Sequence, residues 1–238
     1  SGATTLAVNT ALALQDGQKS VALVDLAPIG HVALHLNQKP PFSILDALQN
    51  VQRLDASLLE VYLARCPSGL HVLAGSTEAI SDFAAPGDYA RLFDLLMSQY
   101  SYVVVDASSR LDQTIRVVCD LSHRVLIVSQ PDVASLWSTA KVQSCLHIGT
   151  DRLSLVLNRF RKIPGLNDNE IEAATHIKVL WKIPNQYAAV AGAIDRGTPI
   201  VQQNHSEIAR CFVGLANQLT GNERQQAKRR TFSLFGAE

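Results

Sequence analysis

The sequence predicts an α/β protein: a mainly parallel, doubly wound sheet with helices on both faces. Three observations carry this. Short continuous apolar runs recur along the chain, as strands buried on both faces require. Stretches of helical periodicity separate them, which implies right-handed βαβ units. Several runs end on a polar residue, Asp25, Asp106 and Asn158 among them, and ligands of such sheets bind beyond the carboxyl ends of the strands.

Thr5 to Gln15 places Leu6, Ala7, Ala11 and Leu14 at helical spacing, and Asp16-Gly17 reads as a helix stop. Ser20 to Val24 is the first strand, ending in Asp25. Leu70 to Leu73 and Tyr102 to Val105 follow, the latter ending in Asp106. Arg124 to Val128 precedes Ser129-Gln130-Pro131, Leu153 to Leu157 ends in Asn158-Arg159, and Lys178 to Trp181 precedes Ile183-Pro184. The helices fall at Asp88 to Tyr100, Asp112 to Leu121, Val133 to Ile148, Asp168 to Ala174, Gln186 to Asp195 and Asn204 to Leu219. With no internal repeat or linker, residues 1–219 read as one domain and 220–238 as a polar, basic, flexible tail. The chain opens on a small-residue cluster leading straight into a helix, as if a preceding strand lay upstream.

Composition narrows the function classes. Among 238 residues, 47% are hydrophobic and 18% charged, enough apolar material for a core. The 21 basic and 21 acidic residues cancel, so no global field draws nucleic acid or an anionic membrane. Cys66, Cys119, Cys145 and Cys211 are widely spaced among apolar neighbours, which implies a reduced, cytoplasmic setting. No apolar run reaches the roughly 18 residues of a membrane span, and Ser1 to Thr5 is not a signal peptide. The seven histidines show no zinc-binding spacing, and there is no G-x-S-x-G elbow.

Two features can carry chemistry. Gly2-Ala3-Thr4 occupies the last three places of a phosphate-binding P-loop pattern at the start of the first helix. The same residue types also cap ordinary helices. Asp25 and Asp106 each follow an apolar strand, and YVVVD has the form of a strand that holds magnesium through its acid. Either Asp can equally cap the helix after it.

The segments SGATTLAVNTALAL, VALVDLAPIGHVALHL, YVVVDAS, LVLNRF and IPNQYAAVAGAIDRGTPIV, in this order, resemble the MinD/ParA family of deviant Walker-A P-loop ATPases. Val32 to Ala74 resembles the TadZ/CpaE branch, which serves Flp/Tad pilus assembly. The resemblance implies a P-loop NTPase-like fold with its first strand upstream of Ser1. By position, it implies that Gly2, Ala3, Thr4 and Thr5 surround the phosphates of ATP or ADP. The Thr4 hydroxyl and Asp106 would hold Mg2+, and Asp25 would be the first switch acid. Asn158 and Arg159 would meet adenine, with Pro184 and Asn185 in the loop flanking the base.

Two departures bear on mechanism. Ala3 stands where the family has its P-loop lysine, and Ala27 where it has the second switch acid. Phosphoryl transfer depends on positioning and electrostatic stabilisation, and losing one preorganised group costs about 10²–10³ in rate. The resemblance therefore implies a degenerate ATPase, a nucleotide-binding module that forms a homodimer and helps place a pilus secretion machine, at the membrane's inner face or a cell pole. Its alternatives are an active dimerising ATPase of the MinD type and a ParA-like DNA partitioning protein. Zero net charge speaks against the last. In the tail, Arg224, Lys228, Arg229 and Arg230 precede Phe232, Leu234 and Phe235, an order that resembles the membrane-binding helix of MinD and also suits a solvated tail.

Overall fold

A strand turns successive side chains to opposite faces, so each apolar run here must be covered twice. The computed structural model describes residues 1–15, 19–27, 29–76, 84–107, 111–162, 166–203 and 206–221. Helix α1 (Ala3–Leu14) leads into β1 (Val21–Asp25), followed by three short helices, α2 (Val32–His35), α3 (Ile44–Gln49) and α4 (Ala56–Tyr62). Strands β2 (Ala64–Arg65) and β3 (His71–Leu73) precede α5 (Pro86–Gln99), β4 (Tyr102–Asp106), α6 (Gln113–Leu121), β5 (Val125–Ser129) and α7 (Val133–Leu146). The chain ends in β6 (Leu153–Phe160), α8 (Asp168–Thr175), β7 (Val179–Pro184), α9 (Tyr187–Asp195) and α10 (Glu207–Thr220).

The strands form two groups, β2-β3-β1-β4 and β5-β6-β7, parallel throughout except for the short antiparallel pair β2–β3. Ala22 and Val24 of β1, with Val103 and Val105 of β4, pack under α3 to α6. Val21 and Leu23, with Tyr102 and Val104, pack under α1, α2 and Ala216 of α10. In the second group Val156, Leu126 and Val128 meet α9, α10 and Leu6 of α1, whereas Leu153, Leu155 and Leu157 meet Leu136 of α7 and Ile171 of α8. Helices thus cover both faces, and α1 and α10 span both strand groups. Among the described residues no strand bonds to the free edge of β4 or of β5, and both strands are half-buried where β1 is fully buried.

The structure moves several expected boundaries. The region between β1 and β3 folds into α2 to α4 and β2, pieces too short to show a period in sequence. Strand β6 runs on to Phe160, so Asn158 and Arg159 lie inside it, and β7 runs on to Pro184, which makes Pro184 a strand residue rather than a loop residue. The register of β6 against β7 slips between Leu157 and Phe160. Such a bulge re-aims the side chains it carries. The helix stop expected at residues 16–17 and the tail from residue 222 lie outside the described residues.

Candidate functional site

The carboxyl ends of β1, β4, β6 and β7 surround the first turn of α1. That helix opens on Gly2 in the left-handed region (φ 89°, ψ 27°), with no side-chain cap and no acid in its first turn. Its leading N–H groups and the positive end of its dipole are left for another acceptor. Glycine suits this position because of its φ, and a Cβ here would crowd the Asn158 amide nitrogen, so that side chain would have to shift. Asn158 donates to the Ser1 carbonyl at 2.7 Å and accepts from the Arg159 N–H at 2.9 Å. Arg159 itself has φ 51°, the local cost of the bulge.

On one side of this turn lie two buried carboxylates. Asp25 and Asp106 are direct register partners on β1 and β4. Asp25 is fully buried, and its two oxygens accept from the backbone N–H groups of Ala27 and Val32, each at 3.0 Å. It thereby folds the loop after β1 back over its own strand end. That loop meets the end of β3 with no room for side chains. A Cβ on Gly30 would lie 2.8 Å from both Asp25 Oδ2 and Gly75 Cα, and one on Gly75 would lie 2.7 Å from Gly30 Cα. Burial raises the Asp25 pKa against the lowering effect of those two amides.

Asp106 is 3% exposed, and its Oδ2 has no partner. Burial pushes its pKa up to about 6; a hydrogen bond with the Thr4 side chain opposes the rise, and the Asp25 charge adds to it. A buried unpaired carboxylate oxygen is costly, and hard oxygen donors such as this one and the Thr4 hydroxyl suit Mg2+ with water completing its shell. No cluster of three or more His, Cys, Asp or Glu side chains that could hold a metal occurs among the described residues. Any cation here would therefore depend on a ligand's oxygens and water as well.

On the other side of the turn lies a cavity of about 260 Å³. Gly2, Thr5, Asn158, Arg159, Pro184 and Asn185 all line it, with apolar walls from Ile183, Val190 and Phe212. Six of the residues expected to bind a cofactor therefore share one cavity. Thr4, Asp106 and Asp25 lie together across α1, and Ala3 is not among the residues that line this cavity. A mostly apolar cavity with a few convergent polar groups is the usual form of a small-molecule site.

Sequence reasoning missed the residues that hold these groups in place. With its amide oxygen turned towards Arg161, Asn185 accepts from that guanidinium twice at 2.8 Å, so its NH2 points away from Arg161. Gln186 donates to Glu207 of α10 at 2.8 Å, tying the loop after β7 to that helix. Asn9 on α1 accepts from the Val201 N–H at 3.1 Å and donates to the Thr5 carbonyl at 2.8 Å, which pins α1 to the turn before α10. None of these partners is near in sequence except Thr5, so no local pattern announces them.

Strand order and helix layers give the α/β, P-loop NTPase-like fold seen in solved MinD and ParA structures. The structure is similar to a ParA family ATPase from Chlorobium tepidum, with a TM-score of 0.82 at 22% identity over 90% of this chain and 93% of that one. It is also similar to the MinD septum site-determining protein of Pyrococcus horikoshii solved with Mg-ADP, with a TM-score of 0.74 at 20% identity over 92% and 90% of the two chains. By sequence, the chain is 24% identical over 237 residues to a protein of Emiliania huxleyi named for MinD, covering 92% of this chain and 83% of that protein. No protein-family profile matches the chain.

Proposed function

We propose that this protein is a nucleotide-binding module that takes ATP or ADP with Mg2+, hydrolyses it weakly or not at all, and acts through the state of a homodimer. The observation that carries the reading is the unpartnered Oδ2 of Asp106 beside Thr4, set against the uncapped start of α1, with the Asn158–Asn185 cavity across the same turn. Phosphates would meet the helix N–H groups, the cation Thr4 and Asp106, and the base the cavity. The Mg2+ supplies charge neutralisation of the phosphates when bound.

Weak hydrolysis is supported by what the site lacks. Ala3 and Ala27 carry no polar group, and both oxygens of Asp25 are engaged by the backbone of its own loop. Removing preorganised groups at about 10²–10³ each leaves little turnover. The shared use of α1 and α10 by both strand groups supports residues 1–219 acting as one domain. A role in placing a Flp/Tad-type pilus secretion machine is supported by the likeness of Val32 to Ala74 to the TadZ/CpaE branch. Nucleotide bound at a dimer would act by favouring one of two assembly states, which requires different affinities for them.

Titration calorimetry with ATP and Mg2+, paired with phosphate release, is the test. Saturable binding with turnover no faster than the uncatalysed background fits the proposal. Turnover like that of an intact MinD ATPase would overturn the weak-hydrolysis reading, and absence of binding would overturn the site itself. Loss of pili, or unchanged pili, on deletion of the gene decides the placement role.

A further inference from the structure

A carboxamide with its oxygen and NH2 both free reads the amino group and N7 of adenine. A group that offers donors alone reads the O6 and N7 acceptors of a 6-oxopurine, such as guanine or hypoxanthine. What the carboxamides of the cavity still offer therefore bears on the base they would take.

Asn185 offers donors alone. Parallel pairing sets Phe160 of β6 opposite Pro184 of β7, and the Asn185 N–H donates to the Phe160 carbonyl at 3.2 Å. The next residue on the β6 side is Arg161, which thus reaches Asn185 from alongside. Its guanidinium donates through Nε and Nη2 to the Asn185 oxygen, each at 2.8 Å. Both lone pairs of that oxygen are used, and the NH2 is what remains for a ligand.

Asn158 is held at both ends, its oxygen by the Arg159 N–H and its NH2 by the Ser1 carbonyl. It cannot lay oxygen and NH2 together on an adenine edge without breaking one of these bonds. The neighbouring Gln186 has its NH2 tied to Glu207. Among the described residues, then, no carboxamide lining this cavity keeps both of its groups free. The lining carboxylate, Asp195, closes α9, roughly 12 Å along the helix from Tyr187.

We propose that the cavity prefers a 6-oxopurine, so that inosine and guanine nucleotides bind more tightly than adenine ones, and that Arg161 sets this preference through Asn185. The proposal rests on the nucleotide reading of the site and names a tighter class of ligand beside ATP and ADP. Adenine still presents N7 to the Asn185 NH2, but its amino group then meets a donor where O6 would accept. The apolar walls, Ile183, Val190 and Phe212, take the faces of either ring alike, so the difference falls on this edge. Arg161 is a positioning residue, exposed and acting through the oxygen it holds.

The test is calorimetric titration of the full chain with the magnesium salts of ATP, GTP and ITP, for wild type, Arg161→Ala and Arg161→Lys. Wild type should bind ITP and GTP about tenfold more tightly than ATP. ITP lacks the 2-amino group of GTP, so agreement between them assigns the effect to O6. Arg161→Ala frees the Asn185 oxygen, and the carboxamide can then take the amino group and N7 of adenine together. The preference for ITP over ATP should fall to about one or below. Arg161→Lys keeps a donor for that oxygen and should retain the preference. Both variants change an exposed residue and should melt with the wild type, and the ratio cancels any loss common to the three nucleotides. ATP bound as tightly as ITP by wild type, a preference shown by GTP without ITP, or a ratio unchanged in Arg161→Ala overturns the proposal and leaves the nucleotide reading standing. A chain that binds none of the three overturns that reading and the proposal with it.

Discussion

Replacing Asp106 with Asn separates the burden this carboxylate places on the fold from its proposed use. Its pKa stands at about 6 in the folded chain against an ordinary 3.8. At 1.36 kcal/mol per pKa unit, keeping it ionised costs the metal-free fold about 3 kcal/mol. The sign follows from proton counts. Between the unfolded and folded values the folded state holds more protons, so stability falls as pH rises from about 4 to about 6 and is flat above. Asp25, also raised by burial, acts in the same direction. Asp106→Asn is close in shape, keeps a partner for Thr4 and removes this share. In chelator-containing buffer the variant should match wild type in urea unfolding near pH 4 and exceed it by about 3 kcal/mol at pH 7. The same variant should lose Mg2+-dependent nucleotide binding. A variant less stable than wild type at pH 7, or a difference independent of pH, would refute the reasoning.

Gly75→Ala drives a Cβ to 2.7 Å from Gly30 Cα and 2.9 Å from Asp25 Cγ, so thermal melting should reveal a loss of about 1–3 kcal/mol; an unchanged melting temperature would mean that the two loops separate freely. Asn158→Ala removes the bond to the Ser1 carbonyl and a polar group of the cavity, and calorimetry should find ATP bound about tenfold more weakly. Ala3→Lys restores a cation at the proposed phosphate loop, and Mg-ATP affinity should rise about tenfold or more. Unaltered affinity would mean that position 3 does not face the phosphates.

Much of the architecture was legible because it rests on local pattern. The runs VALVD, YVVVD and LSLVL are continuous apolar stretches, and they became β1, β4 and the body of β6. The helices after them shifted by only a few residues, as fraying ends and caps dictate. Residues 32–65 were not legible. Their helices are four to seven residues long and are held by burial of Ile44, Leu48, Leu59 and Tyr62 against β1 and α5, a tertiary effect with no periodic trace.

At the site, the chain's own order of residues determines that Gly2 and Thr4 begin a helix, that Asp25 and Asp106 end strands, and that Ala3 and Ala27 bring no polar group. Their meeting was decided elsewhere. Parallel pairing in register sets Asp25 beside Asp106, the bulge in β6 turns Asn158 onto Gly2, and Arg161 takes the oxygen side of Asn185. A strand's side-chain type follows from which faces are buried, and that is written in the run itself. Register, bulges and the partners of buried polar atoms follow from contacts between segments far apart in the chain, so only the folded molecule specifies that Asp25 is spent on its loop while Asp106 keeps a bare oxygen.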